Sequence, residues 1–173
     1  GDYAVSEVWA TAKDGVKVPM SVIRPATARG AGPMLINAYG SYGISSYPVF
    51  SSRLLSTANE GFTVATCHVR GGGEFGETWR LAGKDANKPN TWRDLIDCCE
   101  ELIRRRWTSA QHLTIQGGSA GGITVGRALT ERPDLFAGVI PCARWLALVG
   151  DNPYGRTLKL NRSLNSTRAR LGL

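Results

Sequence analysis

The sequence has only two histidines, His68 and His112. A mechanism that needs an imidazole base therefore has two candidates. It has no apolar run long enough to span a bilayer, so a transmembrane helix is not expected. The N-terminal stretch "GDYAVSEVWATAKDGVKVPM" has early acids and no apolar core segment, so no signal peptide is read in it. There are four cysteines, Cys67, Cys98, Cys99 and Cys142, with no metal-ligand or redox-motif spacing. Neither a metal nor any other cofactor is expected. Cys98 and Cys99 are adjacent on a predicted helix and face different directions. Buried free thiols in a cytoplasmic protein are the expectation.

Acids are scarce at one end. The net charge is +7, and residues 141–173 hold six basic side chains against Asp151 alone. That basic segment lacks the aromatic interleaving and helical phasing of a nucleic-acid binder, and a solvated tail is expected over residues 142–173. A non-catalytic basic binding module is the alternative that such a tail keeps open.

What is present is an alternation of strand and helix signals. Residues 6–12 and 16–24 read as a hairpin around "KDG". "PMLINAY", "FTVATCHV", "LTIQ" and "AGVIP" are short apolar runs suited to strands buried on both faces. Residues 49–59 suit a helix. "NTWRDLIDCCEELIRRRW" is the clearest helix, with Trp92, Leu95, Ile96, Cys99, Leu102 and Ile103 on one face. Thr91 and Asp94 read as a capping box, and Arg104 to Arg106 as a cationic helix end. The pattern predicts an α/β fold, a doubly wound, mostly parallel sheet, with the order fading after Pro141.

One motif carries chemistry. Gly117-Gly118-Ser119-Ala120-Gly121 fits G-x-S-x-G between a predicted strand and a predicted helix. A strand that turns into a helix over so few residues leaves no room for side chains, hence glycine and alanine. The serine hydroxyl stands at the tip, and the Ala120 N–H points at the same place, suited to an oxyanion. There is no P-loop Lys-Ser/Thr pair, and the spacing is not G-x-G-x-x-G.

Taken together, "NAYGSYGISSYP", "RGGGEFGETWRLAGK", "NTWRDLIDCCEELI", "LTIQGGSAGG" and "RPDLFAGVI" resemble, in order and spacing, the catalytic domain of the prolyl oligopeptidase family of serine peptidases. The resemblance covers about residues 3–141. It implies an α/β-hydrolase fold, incomplete at its C-terminal side, that cleaves short peptides through an acyl-enzyme on Ser119. It implies that the Ala120 N–H and the Tyr39 hydroxyl hold the oxyanion and that Tyr42 lines the S1 pocket. Glu74 is expected to anchor a loop. The features shared with oligopeptidase B and with prolyl oligopeptidases leave the P1 preference, basic or proline, open. An esterase of the same fold is the neighbouring alternative.

The chain order of such hydrolases is Ser, then Asp or Glu, then His. Both histidines here precede Ser119, so His68 and His112 are not expected to serve as the base. The expectation is a partial catalytic domain over residues 1–141, inert by itself. A longer parent chain, or a reading frame that slips near residue 142, would account for the missing Asp and His.

Overall fold

The computed structural model describes residues 2–142. The segment after residue 142, on which the expected basic tail falls, lies outside the described residues.

Two nine-residue strands open the chain, β1 (Tyr3–Thr11) and β2 (Lys17–Pro25), paired antiparallel with Trp9 opposite Pro19. They are followed by β3 (Met34–Ala38), α1 (Ser52–Asn59), β4 (Thr63–Cys67), α2 (Glu77–Leu81), α3 (Pro89–Arg104), β5 (Leu113–Gly118), α4 (Gly121–Glu131) and β6 (Gly138–Cys142). The sheet order is β1-β2-β4-β3-β5-β6. β2 meets β4 antiparallel, and β4, β3, β5 and β6 run parallel. The α/β reading thus holds, with an antiparallel hairpin joined to a parallel sheet.

The connections fix where a site can form. From β3 the chain crosses through α1 to β4 on one side. From β4 it crosses back over β3, through α3, to β5 on the other. Parallel crossovers are right-handed, so these opposite steps put α1 on one face and α3 on the other. α4 packs against α3 and covers β3, β5 and β6. The reversal lies between β3 and β5. A crevice at such a switch point, beyond the carboxyl ends of the strands, is where α/β sheets bind ligands.

The core is built from the apolar alternation of the strands. Met20, Val22, Met34, Ile36, Leu113 and Ile115 are fully buried, and Leu95, Leu102 and Val125 pack onto them from α3 and α4. The arginine run is a helix end, as its position implies. Arg104 and Arg105 both bond to Glu101, and Arg106 takes a left-handed φ of 59° that ends the helix.

Two local expectations are corrected. Thr91 and Asp94 are not a capping box. α3 already begins at Pro89, and no side chain caps it. Both residues face inward instead. Thr91 Oγ1 donates to the Arg70 carbonyl, and Asp94 accepts from the Arg70 main chain and guanidinium. The buried free thiols are corrected as well: Cys67 and Cys98 form a disulfide, and Cys99 remains a free buried thiol. Cys67 ends β4 and Cys98 lies in α3, and both are buried in the core, as is Cys99. Burial pushes the Cys99 thiol far above its ordinary pKa, which keeps it unreactive while folded. Alkylation in denaturant without reductant is therefore expected to modify Cys99 and spare Cys67 and Cys98. Peptide mapping by mass spectrometry checks this; full alkylation of all three would exclude the disulfide.

Candidate active site

The β5–α4 junction shows why its residues are small. A Cβ on Gly117 would stand 2.3 Å from the Gly121 carbonyl oxygen. A Cβ on Gly121 would stand 2.8 Å from the Ala38 carbonyl oxygen and 3.3 Å from the Tyr39 ring. Both obstacles include main-chain atoms, which cannot swing aside. Ser119, between them, has a φ of 51°. That left-handed conformation is costly for a residue with a Cβ and marks a strained turn that its surroundings hold in place. Ser119 is exposed. Its own carbonyl accepts from Gly122 N, so the helix starts at once behind it.

Ala120 stands at the N-cap of α4, and no side chain caps that end. Gly122 N and Ile123 N already donate to the Ser119 and Ala120 carbonyls, which leaves the N–H groups of Ala120 and Gly121 at the positive end of the helix dipole. They are suited to a negative oxygen formed beside Ser119.

Tyr39 reaches the same place from the next strand. β3 and β5 pair in parallel with Asn37 opposite Gln116, so Tyr39 leaves its strand at nearly the level where Ser119 leaves its own. Thr124 Oγ1, on α4, donates to the Tyr39 carbonyl at 2.9 Å and ties the two strand ends together. Tyr42 follows at a φ of 59°, with its ring centroid 6.5 Å from that of Tyr39. It is 77% exposed, so its ring is open to a partner. Ser119, Ala120, Tyr39 and Tyr42 are thus brought to one edge of the sheet, at its switch point.

The histidines are not brought there. His68 follows β4, which is separated from β5 by β3, a lateral offset of about 10 Å at ordinary strand spacing. Its Nε2 is 2.9 Å from Ser21 Oγ, and its Nδ1 is 3.6 Å from Glu74 Oε1. His112 precedes β5 and so lies at the far end of that strand, about 23 Å of extended chain from Ser119. It pairs with Ser109 Oγ.

Glu74 is a loop anchor. Its Oε1 accepts from Ser46 N at 2.8 Å. Burial alone raises its pKa, but His68 and the Ser46 N–H outweigh burial and hold the carboxyl below its usual value. One cleft of about 340 Å³ lies elsewhere, lined by residues that include Asp14, Arg70, Asp97 and Glu131. Glu131 ends α4, about 16 Å along the helix from its start at the serine turn. Among the described residues no cluster of three or more His, Cys, Asp or Glu could hold a metal, and no helix is long and apolar enough to cross a membrane.

Comparison with known proteins decides what this geometry is part of. The model of the prolyl oligopeptidase family matches residues 48–159, more than half of the chain. The chain belongs to the prolyl oligopeptidase family. It is 37% identical over 149 residues to protease 2 of Moraxella lacunata, covering 85% of this chain and 22% of that protein. It is 35% identical to the prolyl endopeptidase of Dictyostelium discoideum, covering 90% of this chain and 22% of that one. Among solved structures it resembles oligopeptidase B from Trypanosoma brucei in a closed form with covalently bound antipain. The TM-score is 0.78 at 41% identity, covering 81% of this chain and 20% of that one. The chain therefore spans about a fifth of the length of these prolyl oligopeptidase family members. The fold is that of their α/β-hydrolase catalytic domains.

Sequence reasoning passed over Lys88. Its Nζ donates to Gly40 O at 2.5 Å and to Ser41 Oγ at 2.9 Å, inside the turn that carries Tyr39 and Tyr42. The residues in contact are nearly fifty positions apart, and no local pattern signals them.

Proposed function

We propose that this chain supplies the nucleophile and the oxyanion-binding groups of a serine peptidase acting on short peptides. Ser119 Oγ gives its proton to a base and attacks the scissile carbonyl carbon. The carbonyl oxygen becomes an oxyanion between the Ala120 N–H and the Tyr39 hydroxyl. The C–N bond then breaks as the amine takes a proton, and water releases the acyl group from Ser119. Tyr42 flanks the P1 side chain. Ile44, Tyr47, Val49 and Phe50 stand exposed in the same segment, apolar surface suited to a peptide or to the rest of a parent chain.

The observation that carries this reading is the left-handed Ser119, wedged between glycines at the end of β5, with Tyr39 beside it at the end of β3. Residues 1–141 are read as part of the catalytic domain. The acid and the base are assigned to a longer parent chain, in keeping with the fifth of its relatives' length that this chain spans. The Cys67–Cys98 disulfide weighs against the expected cytoplasmic location and in favour of an oxidising compartment.

The test is labelling of the 173-residue chain with a fluorophosphonate. Without a base the reaction is expected to be slow, and the adduct to map to the peptide containing Ser119 and to vanish in Ser119→Ala. Adducts spread over several serines would reject the assignment. Rapid, stoichiometric labelling at Ser119 would show that the chain already holds a base.

A further inference from the structure

Lys88 is half-buried where no stability argument calls for a charge. Its ammonium has no carboxylate within 4 Å among the described residues; its two partners are a main-chain carbonyl and a hydroxyl. A desolvated cation without a counter-ion is a cost to folding. Burial accordingly pushes its pKa below the ordinary lysine value. The stem is fixed at its base, because Lys88 N donates to Asp85 O and Pro89 begins α3 immediately after it.

The two acceptors belong to a turn with three positive φ angles, a conformation that glycine adopts freely and Tyr42 does not. Gly40, Tyr42 and Gly43 all have positive φ, at 69°, 59° and 66°. Gly40 directly follows Tyr39, and Ser41 directly precedes Tyr42. Ser41 is buried, whereas Tyr42 beside it is exposed. The far side of the turn is tied independently, by Gly43 N to Gly71 O and by Ser46 N to Glu74. Without the ammonium, Gly40 O and Ser41 Oγ would lose the partner they share, while the near side would keep the Thr124–Tyr39 and Ile44–Ser41 bonds.

We propose that Lys88 is a positioning residue for the reaction at Ser119: its ammonium locks the Gly40–Ser41 peptide so that the flanking Tyr39 and Tyr42 rings face the crevice. The statement rests on the assignment of Ser119 and Tyr39 given above. Lys88 itself is assigned no contact with the substrate. It acts through the turn, joining the start of α3 to the oxyanion side of the site.

The experiment compares Lys88→Met and Lys88→Arg with the parent 173-residue chain by amide hydrogen exchange and by fluorophosphonate labelling of Ser119. Lys88→Met is expected to raise exchange over residues 40–47 about tenfold, to leave β5 and the middle of α3 unchanged, and to slow Ser119 labelling by a similar factor. Lys88→Arg, which keeps a cationic donor, is expected to recover most of both. Unchanged protection of residues 40–47 in Lys88→Met overturns the proposal. So does a loosened turn with undiminished labelling, since the turn would then not serve the reaction. Where the parent itself gives no Ser119 adduct, the absent base accounts for it, and exchange over residues 40–47 alone decides whether Lys88 locks the turn. If Lys88→Met fails to fold, Ser41→Ala removes one of the ammonium's two partners. It is expected to raise exchange at Ile44, whose N–H donates to Ser41 O, about threefold, and no change there would overturn the proposal equally.

Discussion

Asp94→Ala is expected to destabilise the domain by about 3–5 kcal/mol, measured as a fall in the urea midpoint at constant m-value. Asp94 is fully buried and holds Arg70 by its main-chain N–H at 2.8 Å, by Nε at 3.0 Å and by Nη2 at 2.6 Å. Arg70 is 5% exposed. Burial raises the Asp94 pKa against these bonds, so the pair itself is no large source of stability. Its removal is costly for another reason: alanine leaves a buried guanidinium with Asp14 as its remaining ionic partner. Asp94 and Asp14 together hold the Arg70 pKa above its ordinary value despite burial. The Asp14 side chain is 46% exposed, so Asp14→Ala is expected to cost about 1 kcal/mol or less. Equal losses in the two variants would show that burial of Asp94 is not what makes it matter. Because Arg70 opens the "RGGGEFG" loop, the Asp94 variant also frees the segment that Glu74 ties to Ser46.

Asp94 also shows what the sequence hides. Thr91 and Asp94 stand three apart near a helix start, the spacing of a capping box. Spacing alone cannot distinguish a side chain that turns back to its own helix from one that reaches a strand end more than twenty residues away. The apolar face of α3 was legible because burial repeats every three or four residues, and Trp92, Leu95, Ile96, Cys99 and Leu102 are all buried. α2 was not read as a helix, since five residues beside a glycine-rich loop give less than two turns of pattern. The Cys67–Cys98 pairing joins β4 to α3 across 31 residues, which no spacing encodes. The serine turn was legible for the opposite reason: its constraint is steric and local, so it is written in consecutive residues. Bringing Tyr39 beside that turn required the resemblance to a family, and placing Lys88 against Gly40 and Ser41 required the folded chain.

The local constraint gives the sharpest test of the site. Gly117→Ala is expected to lower the rate of Ser119 labelling by about a hundredfold, the scale of loss that follows a displacement of about 1 Å at a reacting centre. The added methyl would sit 2.3 Å from the Gly121 oxygen, 2.6 Å from its carbonyl carbon and 3.0 Å from Val125 Cγ1. Main-chain atoms give way only if the first turn of α4 moves off β5. That movement carries the Ala120 N–H with it and breaks the alignment with Tyr39 that Thr124 maintains. Overpacking of this kind costs about 1–3 kcal/mol, so the protein should remain folded while its site is displaced. Gly32→Ala is the matched control, because a Cβ there meets nothing within 4 Å and its φ is not positive. It is expected to label at the parent rate. If Gly117→Ala labels as fast as Gly32→Ala while both stay folded, then the tight β5–α4 junction does not aim Ser119, and the nucleophile must be sought elsewhere on the chain.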